Sequence, residues 1–183
     1  MSRRVPNDPD RRERILDAAL DVIAERGVHA TTHRRIAERA EVPLGSLTYY
    51  FDGLHDIIAQ AFTRMSNRMS ALYRSSVALA ATREEAERAV VDLICGEEYM
   101  PEREMTLLFE MYAYAEHSEP VARLSRDWMV RSRESLMAHF PEDVARVLDV
   151  LVEGWPMHRR FEGRPLDRAL VARTVRAVIA SGG

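Results

Sequence analysis

The chain has 183 residues, of which 26 are arginine, none is lysine and 29 are acidic, giving a formal net charge of −3. Its length is sufficient for one large or two small domains with a substantial core. With 46% hydrophobic and 30% charged residues, the composition excludes a disordered chain and a membrane-spanning one. No run of about 18 apolar residues and no apolar leader is found, so we expect a cytoplasmic protein.

The N-terminal part is the more basic part of the chain. Residues 1–50 hold nine arginines against eight acidic residues, whereas residues 51–183 hold seventeen against twenty-one. Arginine is suited to paired contacts with phosphate and guanine. Arg3 and Arg4 lie in a polar arm at the start of the chain. Asp8 and Pro9 then predict the start of a first helix that extends to Gly27, because Pro suits the first helical position.

The single cysteine and the six scattered histidines favour no metal site. Cys95 has no partner for an internal disulfide, and no group of Cys and His residues has zinc-ligand spacing. We interpret Cys95 as a small, buried apolar residue rather than a redox group or nucleophile. No cofactor is expected.

Residues 32–51 predict two short helices joined by a tight turn. On the first helix, Ile36, Ala37 and Ala40 place small apolar groups on one face, where a second helix can approach closely. Pro43 interrupts this pattern, since Pro fixes φ and disfavours helix in the residue before it.

The second short helix is predicted over residues 46–51, after Gly45, which permits unusual backbone angles. A helix of this length is not stable alone, and Leu47 and Phe51 are its only obvious anchors. Its other face is left free. Two short helices with a tight turn form the pattern of a helix-turn-helix DNA-binding motif.

The remainder of the chain reads as helical throughout. Thr82 to Glu85 is a capping box, and apolar residues recur at helical spacing up to the C-terminus. Pro156 falls inside the eighth pattern and either kinks or ends that helix. We expect an all-α protein of about nine helices, of which the last six cover residues 54–76, 83–99, 102–116, 118–140, 141–156 or beyond, and 165–179.

The motif resembles the signature of the tetracycline-repressor (TetR) family of bacterial transcriptional regulators. It departs from the commonest family pattern at Glu41, where Gly is usual, at Thr48, where an aromatic is usual, and at Gly53 and Leu54, where a Lys often caps the next helix. The resemblance implies a three-helix DNA-binding domain over residues 1–53 and a ligand-binding and dimerisation domain over residues 54–183. The matching positions are Thr32, Ile36, Ala37, Ala40, Val42, Gly45, Leu47, Tyr49, Tyr50 and Phe51.

Several residues are candidates to contact double-stranded DNA. Thr31 or Thr32 should cap the first motif helix and leave its N-terminal amides facing a phosphate. Arg34 and Arg35 can reach phosphate or guanine. The alternative interpretation of each is a solvated surface residue without a role in binding. By resemblance, the bases are read at the start of the second motif helix and two tyrosines contact phosphate. The full candidate set is Arg3, Arg4, Thr32, Arg34, Arg35, Leu44, Gly45, Ser46, Thr48, Tyr49 and Tyr50.

A ligand cavity is expected among the fourth to seventh helices. The segment 105–115 is apolar on nearly every side and therefore central. Ordinary core packing is the alternative for every candidate, and Met is a common gap filler. Glu98, Glu110 and Glu116 lie near aromatic residues, which favours a cationic or polar group on the ligand. The candidate lining residues are Phe62, Met65, Met69, Ile94, Glu98, Met105, Leu108, Phe109, Tyr112 and Trp128.

The last two helices carry apolar stripes that either complete the core or form a dimer interface. The pattern alone does not choose between them. Readers of this type bind two half-sites related by a two-fold axis, and the resemblance implies the interface. Its predicted residues are Val144, Val147, Leu148, Leu151, Trp155, Leu170, Val171, Val175 and Val178.

Together these features predict a dimeric transcriptional regulator. It would most simply be a repressor that leaves a palindromic operator when an unidentified small molecule binds its C-terminal domain. An architectural or adaptor protein that binds DNA without sensing a ligand is the alternative. An enzyme is not expected, because the sequence contains no nucleophile elbow and no metal-binding pair of histidines.

Overall fold

The computed structural model describes residues 10–96 and 98–182. Within these ranges the chain forms nine α-helices and one 3-10 helix, Val28–Ala30, and no strand, which confirms the predicted all-α class. The helices are α1 Arg11–Arg26, α2 His33–Ala40, α3 Leu44–Tyr50, α4 Leu54–Val77, α5 Arg83–Cys95, α6 Glu102–Ala115, α7 Glu119–Met137, α8 Glu142–Glu162 and α9 Arg168–Ser181.

The chain divides into two compact units, Met1–Met65 and Ser66–Gly183. The first unit contains α1 to α3 and the beginning of α4. Its core contains Ile15 and Ile23 from α1, Ile36 from α2 and Leu47 from α3, all fully buried. Ile36 and Leu47 are apolar positions of the predicted motif, and their burial fixes which face of α2 and α3 remains outside.

The turn between α2 and α3 is closed by a Schellman motif. The N–H of Val42 donates to the carbonyl of Ala37 at 3.0 Å, and the N–H of Glu41 donates to that of Glu38 at 3.3 Å. Glu41 adopts a left-handed conformation, with φ of 54° and ψ of 44°. A motif of this kind favours Gly at that position, which explains physically why Gly is usual there in the family that the sequence resembles.

The second unit packs α6 against α7, α7 against α8, and α5 against both α8 and α9. The connection between α5 and α6 is held by Arg159 of α8. Its guanidinium donates to the carbonyls of Cys95 at 3.3 Å, Gly96 at 2.9 Å and Met100 at 3.2 Å. One side chain thus satisfies three backbone acceptors, two at the end of α5 and one just before α6.

Several helix boundaries differ from those predicted. α5 ends at Cys95 rather than near Tyr99, because Gly96 takes an extended conformation. α7 ends at Met137 rather than near Phe140. α8 continues through Pro156 to Glu162, so Pro156 does not end the helix. The predicted start at residues 8–9 lies outside the described residues.

Candidate DNA-binding surface and interior acidic cluster

The N-terminus of α2 is capped by Thr32. Its hydroxyl oxygen accepts a hydrogen bond from the N–H of Arg35 at 3.3 Å. Thr31 has a different role, because it is buried and donates to the carbonyl of Gly27 at 2.9 Å. Of the two residues considered from the sequence, Thr32 is therefore the cap, and it lies exposed at the end of the helix where an anion would bind.

The three arginines of α2 differ in how firmly they are held. The side chain of Arg34 is 86% exposed and pairs with Glu38 on the same helix, at 2.8 Å. Arg35 donates to the carbonyl of Ala30. Arg39 contacts both carboxylate oxygens of Glu25 at 2.6 Å and so joins α2 to α1. Because exposed ion pairs contribute little to stability, Arg34 can exchange its partner for a phosphate at low cost.

The outer face of α3 carries large side chains that the fold does not bury. Leu44 is 54% exposed and Tyr49 is 79% exposed, whereas Leu47 on the inner face is fully buried. A Cβ placed on Gly45 would meet no atom within 4 Å, so the backbone is open to a partner at that point. Thr48, which is exposed, donates to the carbonyl of Gly45 at 3.1 Å. This face has the size and composition of a surface that enters a DNA groove.

Tyr50 orients the exposed Tyr49. The two rings pack edge to face with centroids 4.8 Å apart, and Tyr50 is half-buried beside the buried Phe51. Ser46 is also half-buried, and its N–H donates to the carbonyl of Pro43 at 2.8 Å. Tyr50 and Ser46 therefore support α3, and Tyr49 is the tyrosine that extends away from the protein. Arg3 and Arg4 lie outside the described residues.

A second group of polar side chains lies inside the C-terminal unit. Asp149 and Glu153 are one turn apart on α8 and are both half-buried. The phenol of Tyr112, on α6, donates a hydrogen bond to Oε1 of Glu153. Burial raises the pKa of both carboxyl groups, and the charge of Asp149 further raises the pKa of Glu153. The hydrogen bond from Tyr112 opposes that rise in Glu153.

Two more tyrosines belong to this acidic cluster, which we define as Asp149, Glu153, Tyr73, Tyr99 and Tyr112. The rings of Tyr73 and Tyr99 pack edge to face, 5.5 Å between centroids. Burial raises the pKa of all three phenols, and the charges of the two carboxylates raise it further. The five groups therefore lie close enough to interact electrostatically. The hydroxyl of Tyr73 is buried and has no hydrogen-bond partner in the described part of the chain.

Comparison with known proteins identifies the family. Residues 15–61 match the family model described as bacterial regulatory proteins, tetR family. The protein SCO7518 of Streptomyces coelicolor A3(2), described as a transcriptional regulator, is 41% identical, with a TM-score of 0.85 over 93% of this chain and 99% of that one. The chain belongs to the TetR family.

Two further relatives of this TetR-family protein are regulators or ligand binders. The HTH-type transcriptional regulator BetI of Escherichia coli O17:K52:H18 is 28% identical over 92% of each chain. The multidrug binding protein EbrR, in a crystal structure with ethidium, is 25% identical with a TM-score of 0.77, covering 94% of this chain and all of that one. The protein is thus a TetR-family DNA-binding transcriptional regulator, and the curated relatives it matches are regulators rather than enzymes. None of the helices in the described ranges combines the length and the apolar character that a membrane span requires.

The predicted pocket residues of this TetR-family regulator are dispersed. Phe62 and Met65 are fully buried in the first unit. Phe109 stacks on Phe161 with centroids 5.7 Å apart, and Tyr112 belongs to the acidic cluster. Five further candidate pocket residues are buried in the second unit, namely Met69, Ile94, Met105, Leu108 and Trp128.

Two open clefts lie in the C-terminal unit. One, of about 470 Å³, is lined by Met105 together with Arg159 and Arg160 of α8. The other, of about 630 Å³, is lined by Glu98, Tyr99 and Leu72. The structure therefore places Met105 and Glu98 in separate clefts. Cys95 is half-buried and borders both clefts.

The predicted dimer stripe divides between two faces. Exposed or half-buried positions include Val147 and Leu151 on α8 and Leu170 on α9. Trp155 and Val178 are half-buried. The remaining four side chains occupy the opposite face of the same helices and are therefore buried in the chain's own core. They are Val144, Leu148, Val171 and Val175.

The outer face of α8 also carries apolar residues that the sequence analysis did not select. Val150 is 65% exposed and Phe161 is 76% exposed. The acidic cluster was missed as well, because Asp149 and Glu153 flank the apolar stripe and read as ordinary surface residues. Their four-residue spacing beside Leu148 and Val152 was the available signal, since i and i+4 side chains share one helix face.

Proposed function

We propose that this protein is a dimeric repressor of a palindromic operator, released when a small ligand binds the C-terminal unit. The observation that carries the DNA-binding part is the outer face of α3, where Tyr49 and Leu44 are exposed next to the open backbone of Gly45. A helix this short contacts only a few bases, so two copies give the affinity that one cannot. We expect the protein to act in the cytoplasm, where the chromosome lies.

The interface with DNA would combine positioning contacts and base contacts. Thr32 and the α2 amides would receive one phosphate, and Arg34 would pair with a phosphate or guanine after leaving Glu38. Tyr49 would donate to a phosphate, while residues 44–48 would lie against base edges. Arg3 and Arg4 would add contacts from the arm.

The dimer would form through α8 and α9. The exposed positions Val147, Val150 and Phe161 on α8 and Leu170 on α9 supply the apolar surface that such an interface needs. Half-buried Leu151, Trp155 and Val178 border it. Burying this surface in a second copy would fix the separation of the two recognition helices.

Ligand sensing is supported by the complex of the relative EbrR with ethidium. A ligand that binds one arrangement of the C-terminal unit more tightly would shift α4, which runs from the first unit into the second, and thereby change the spacing of the recognition helices. To move the population from 1:99 to 99:1, the ligand must prefer the released arrangement by about 10⁴-fold, or about 5.5 kcal/mol.

Selection of sites from a randomised duplex pool at about 150 mM salt tests this proposal. We expect the purified protein to enrich a palindrome, and Arg34→Ala and Tyr49→Phe to weaken binding to it. Arg123→Ala is the matched control, because Arg123 forms a similar exposed pair with Glu119 at 3.2 Å on α7. Equal binding to every sequence would reject the specific regulator and favour an architectural or adaptor protein.

A further inference from the structure

The two carboxylates of the acidic cluster form no ion pair within the described part of the chain. In the described residues, no ion pair joins Asp149 or Glu153 to an arginine. Arg133 on α7 is the positive group that acts on Asp149, and it lies beyond ion-pair distance. Buried charges in proteins are normally paired. Asp149 accepts a hydrogen bond from Ser132 and Glu153 accepts one from Tyr112. Two adjacent carboxylates that only neutral donors hold in the described chain are costly unless a cation pairs with them.

The aromatic part of the cluster fits a cation as well. Tyr73 and Tyr99 are buried and pack edge to face, and Tyr112 holds Glu153 in place through its hydroxyl. Ring faces attract organic cations, and more strongly where water is excluded. The arrangement combines negative charge with aromatic surface, which is the combination that recognises ammonium and aromatic cations.

The unpartnered hydroxyl of Tyr73 is a second observation, separate from the missing ion pairs, that points to a ligand. It is buried, and it has no hydrogen-bond partner in the described part of the chain. Burial raises the pKa of this phenol, and the charges of both carboxylates raise it further. Native structures rarely leave a buried hydroxyl without a partner. A ligand polar group beside the carboxylates would satisfy it.

The surroundings provide room for the body of such a ligand. Tyr99 belongs both to the cluster and to the wall of the cleft of about 630 Å³. That cleft adds apolar Leu72 and Leu93, and it also adds Glu98, which is in no ion pair within the described ranges. Pockets for small ligands typically have volumes of about 300 to 1,000 Å³.

We infer that the acidic cluster is the recognition site for an organic cation, with Asp149 and Glu153 opposing its charge and Tyr73, Tyr99 and Tyr112 contacting its body. The inference rests on the proposed function, in which this unit senses a small ligand, and it assigns the chemical class of that ligand. A neutral or anionic effector would gain nothing from two unpaired carboxylates and would be repelled if negative.

The test measures binding of matched cationic and uncharged compounds to the full-length protein without DNA. The pairs are ethidium with 3,8-diamino-6-phenylphenanthridine, which is uncharged at about pH 8, and benzyltrimethylammonium with neopentylbenzene. Binding is followed by fluorescence anisotropy or calorimetry, and by the shift in unfolding temperature. We expect at least one cation to bind at least tenfold more tightly than its uncharged partner.

Isosteric variants assign the binding to the cluster. Asp149→Asn and Glu153→Gln should each weaken cation binding at least tenfold, and Tyr73→Phe about threefold, with little change for the uncharged compounds. Glu142→Gln is the control, because it removes the same charge from an exposed position of α8 that pairs with Arg146. Removal of uncompensated buried charge should not unfold the chain, and circular dichroism would verify this.

Three results would overturn the inference: no cation binds, the uncharged compounds bind as tightly, or the double variant Asp149→Asn with Glu153→Gln binds within twofold of the original chain. Operator selection is measured separately. An enriched operator released only by uncharged compounds would leave the proposed function intact and reject the cation. Charge-dependent binding without an enriched operator would support the cation site and reject the proposed operator-specific repressor.

Discussion

Arg64 of α4 forms a two-point ion pair with Asp17 of α1, with Nε to Oδ1 at 2.7 Å and Nη2 to Oδ2 at 3.0 Å. One turn further along α4, Arg68 contacts Glu104 of α6 at 2.7 Å. Arg64 also pairs with Glu13 of α1, so α4 carries ion pairs to a helix of each compact unit. Under the proposed mechanism, in which α4 transmits the ligand signal, these ion pairs are among the polar contacts that a shift of α4 would alter.

A double-mutant cycle would measure the first pair. With Arg64→Met and Asp17→Asn, we expect a coupling free energy of about 0.5 to 1 kcal/mol, because the pair is two-pointed but partly exposed. The free energy of unfolding in urea is the measurement. The pair of Arg146 with Glu142, which has a single contact at 3.3 Å within α8, should give a smaller coupling; an equal or larger value there would contradict the expectation.

Replacing Glu41 by Gly should stabilise the DNA-binding unit. At φ of 54°, a side chain costs about 1 to 2 kcal/mol relative to Gly, and the entropy that Gly adds to the unfolded chain offsets part of this. We expect a net gain of about 0.5 to 1 kcal/mol in chemical denaturation. Glu41→Ala keeps the Cβ and should show no such gain, so equal effects of the two changes would show that strain is not the cause.

The raised pKa values of Asp149 and Glu153 predict a pH dependence of stability. A carboxyl whose pKa is higher in the folded chain binds its proton more tightly there, so its contribution to stability falls as pH rises through the window between the unfolded and folded values. Glu153→Gln removes that loss. Thermal unfolding of both proteins from about pH 4 to pH 8 should show the variant gaining relative to the original chain as pH rises.

The same comparison with Glu142→Gln separates burial from charge. Because Glu142 is exposed, its replacement should give no gain that grows with pH. A variant of Glu153 that loses stability relative to the original chain at pH 8 would mean that the carboxylate has a compensating partner in the folded protein.

Val150→Glu should dissociate the proposed dimer. Val150 is an exposed apolar residue of α8, and placing a carboxylate in an apolar interface is unfavourable by several kcal/mol. Sedimentation equilibrium should show the dimer weakened by at least about 100-fold, which corresponds to about 2.7 kcal/mol. Leu79→Glu, at an exposed apolar residue in the α4 to α5 connection, should leave the assembly unchanged. A Val150→Glu dimer of unchanged affinity would move the interface elsewhere.

The helix-turn-helix was predictable because its signal is local. Ile36 and Leu47 face inward because of helical spacing, and the turn follows from Pro43. The strain at Glu41 could not be read from pattern alone, because a Schellman motif is a property of backbone geometry. Thr31 and Thr32 were equivalent in the sequence, and only the structure assigns the cap.

The C-terminal unit was less predictable because its helices carry apolar residues on more than one face. Periodicity placed Val144 and Val147 on one stripe, yet the first is buried within the chain and the second is exposed. Which face turns inward depends on neighbours distant in sequence. The same reason hid the acidic cluster, whose members come from α4, α6, α8 and the segment after α5.

Cys95 is the chain's only thiol, half-buried at the last residue of α5 and bordering both clefts. A maleimide dye or nitroxide attached there would report from one position per subunit without any prior removal of other cysteines. In a dimer, spectroscopy would measure the distance between the two labels with and without operator and effector. A change in that distance would record the internal motion of the regulator directly.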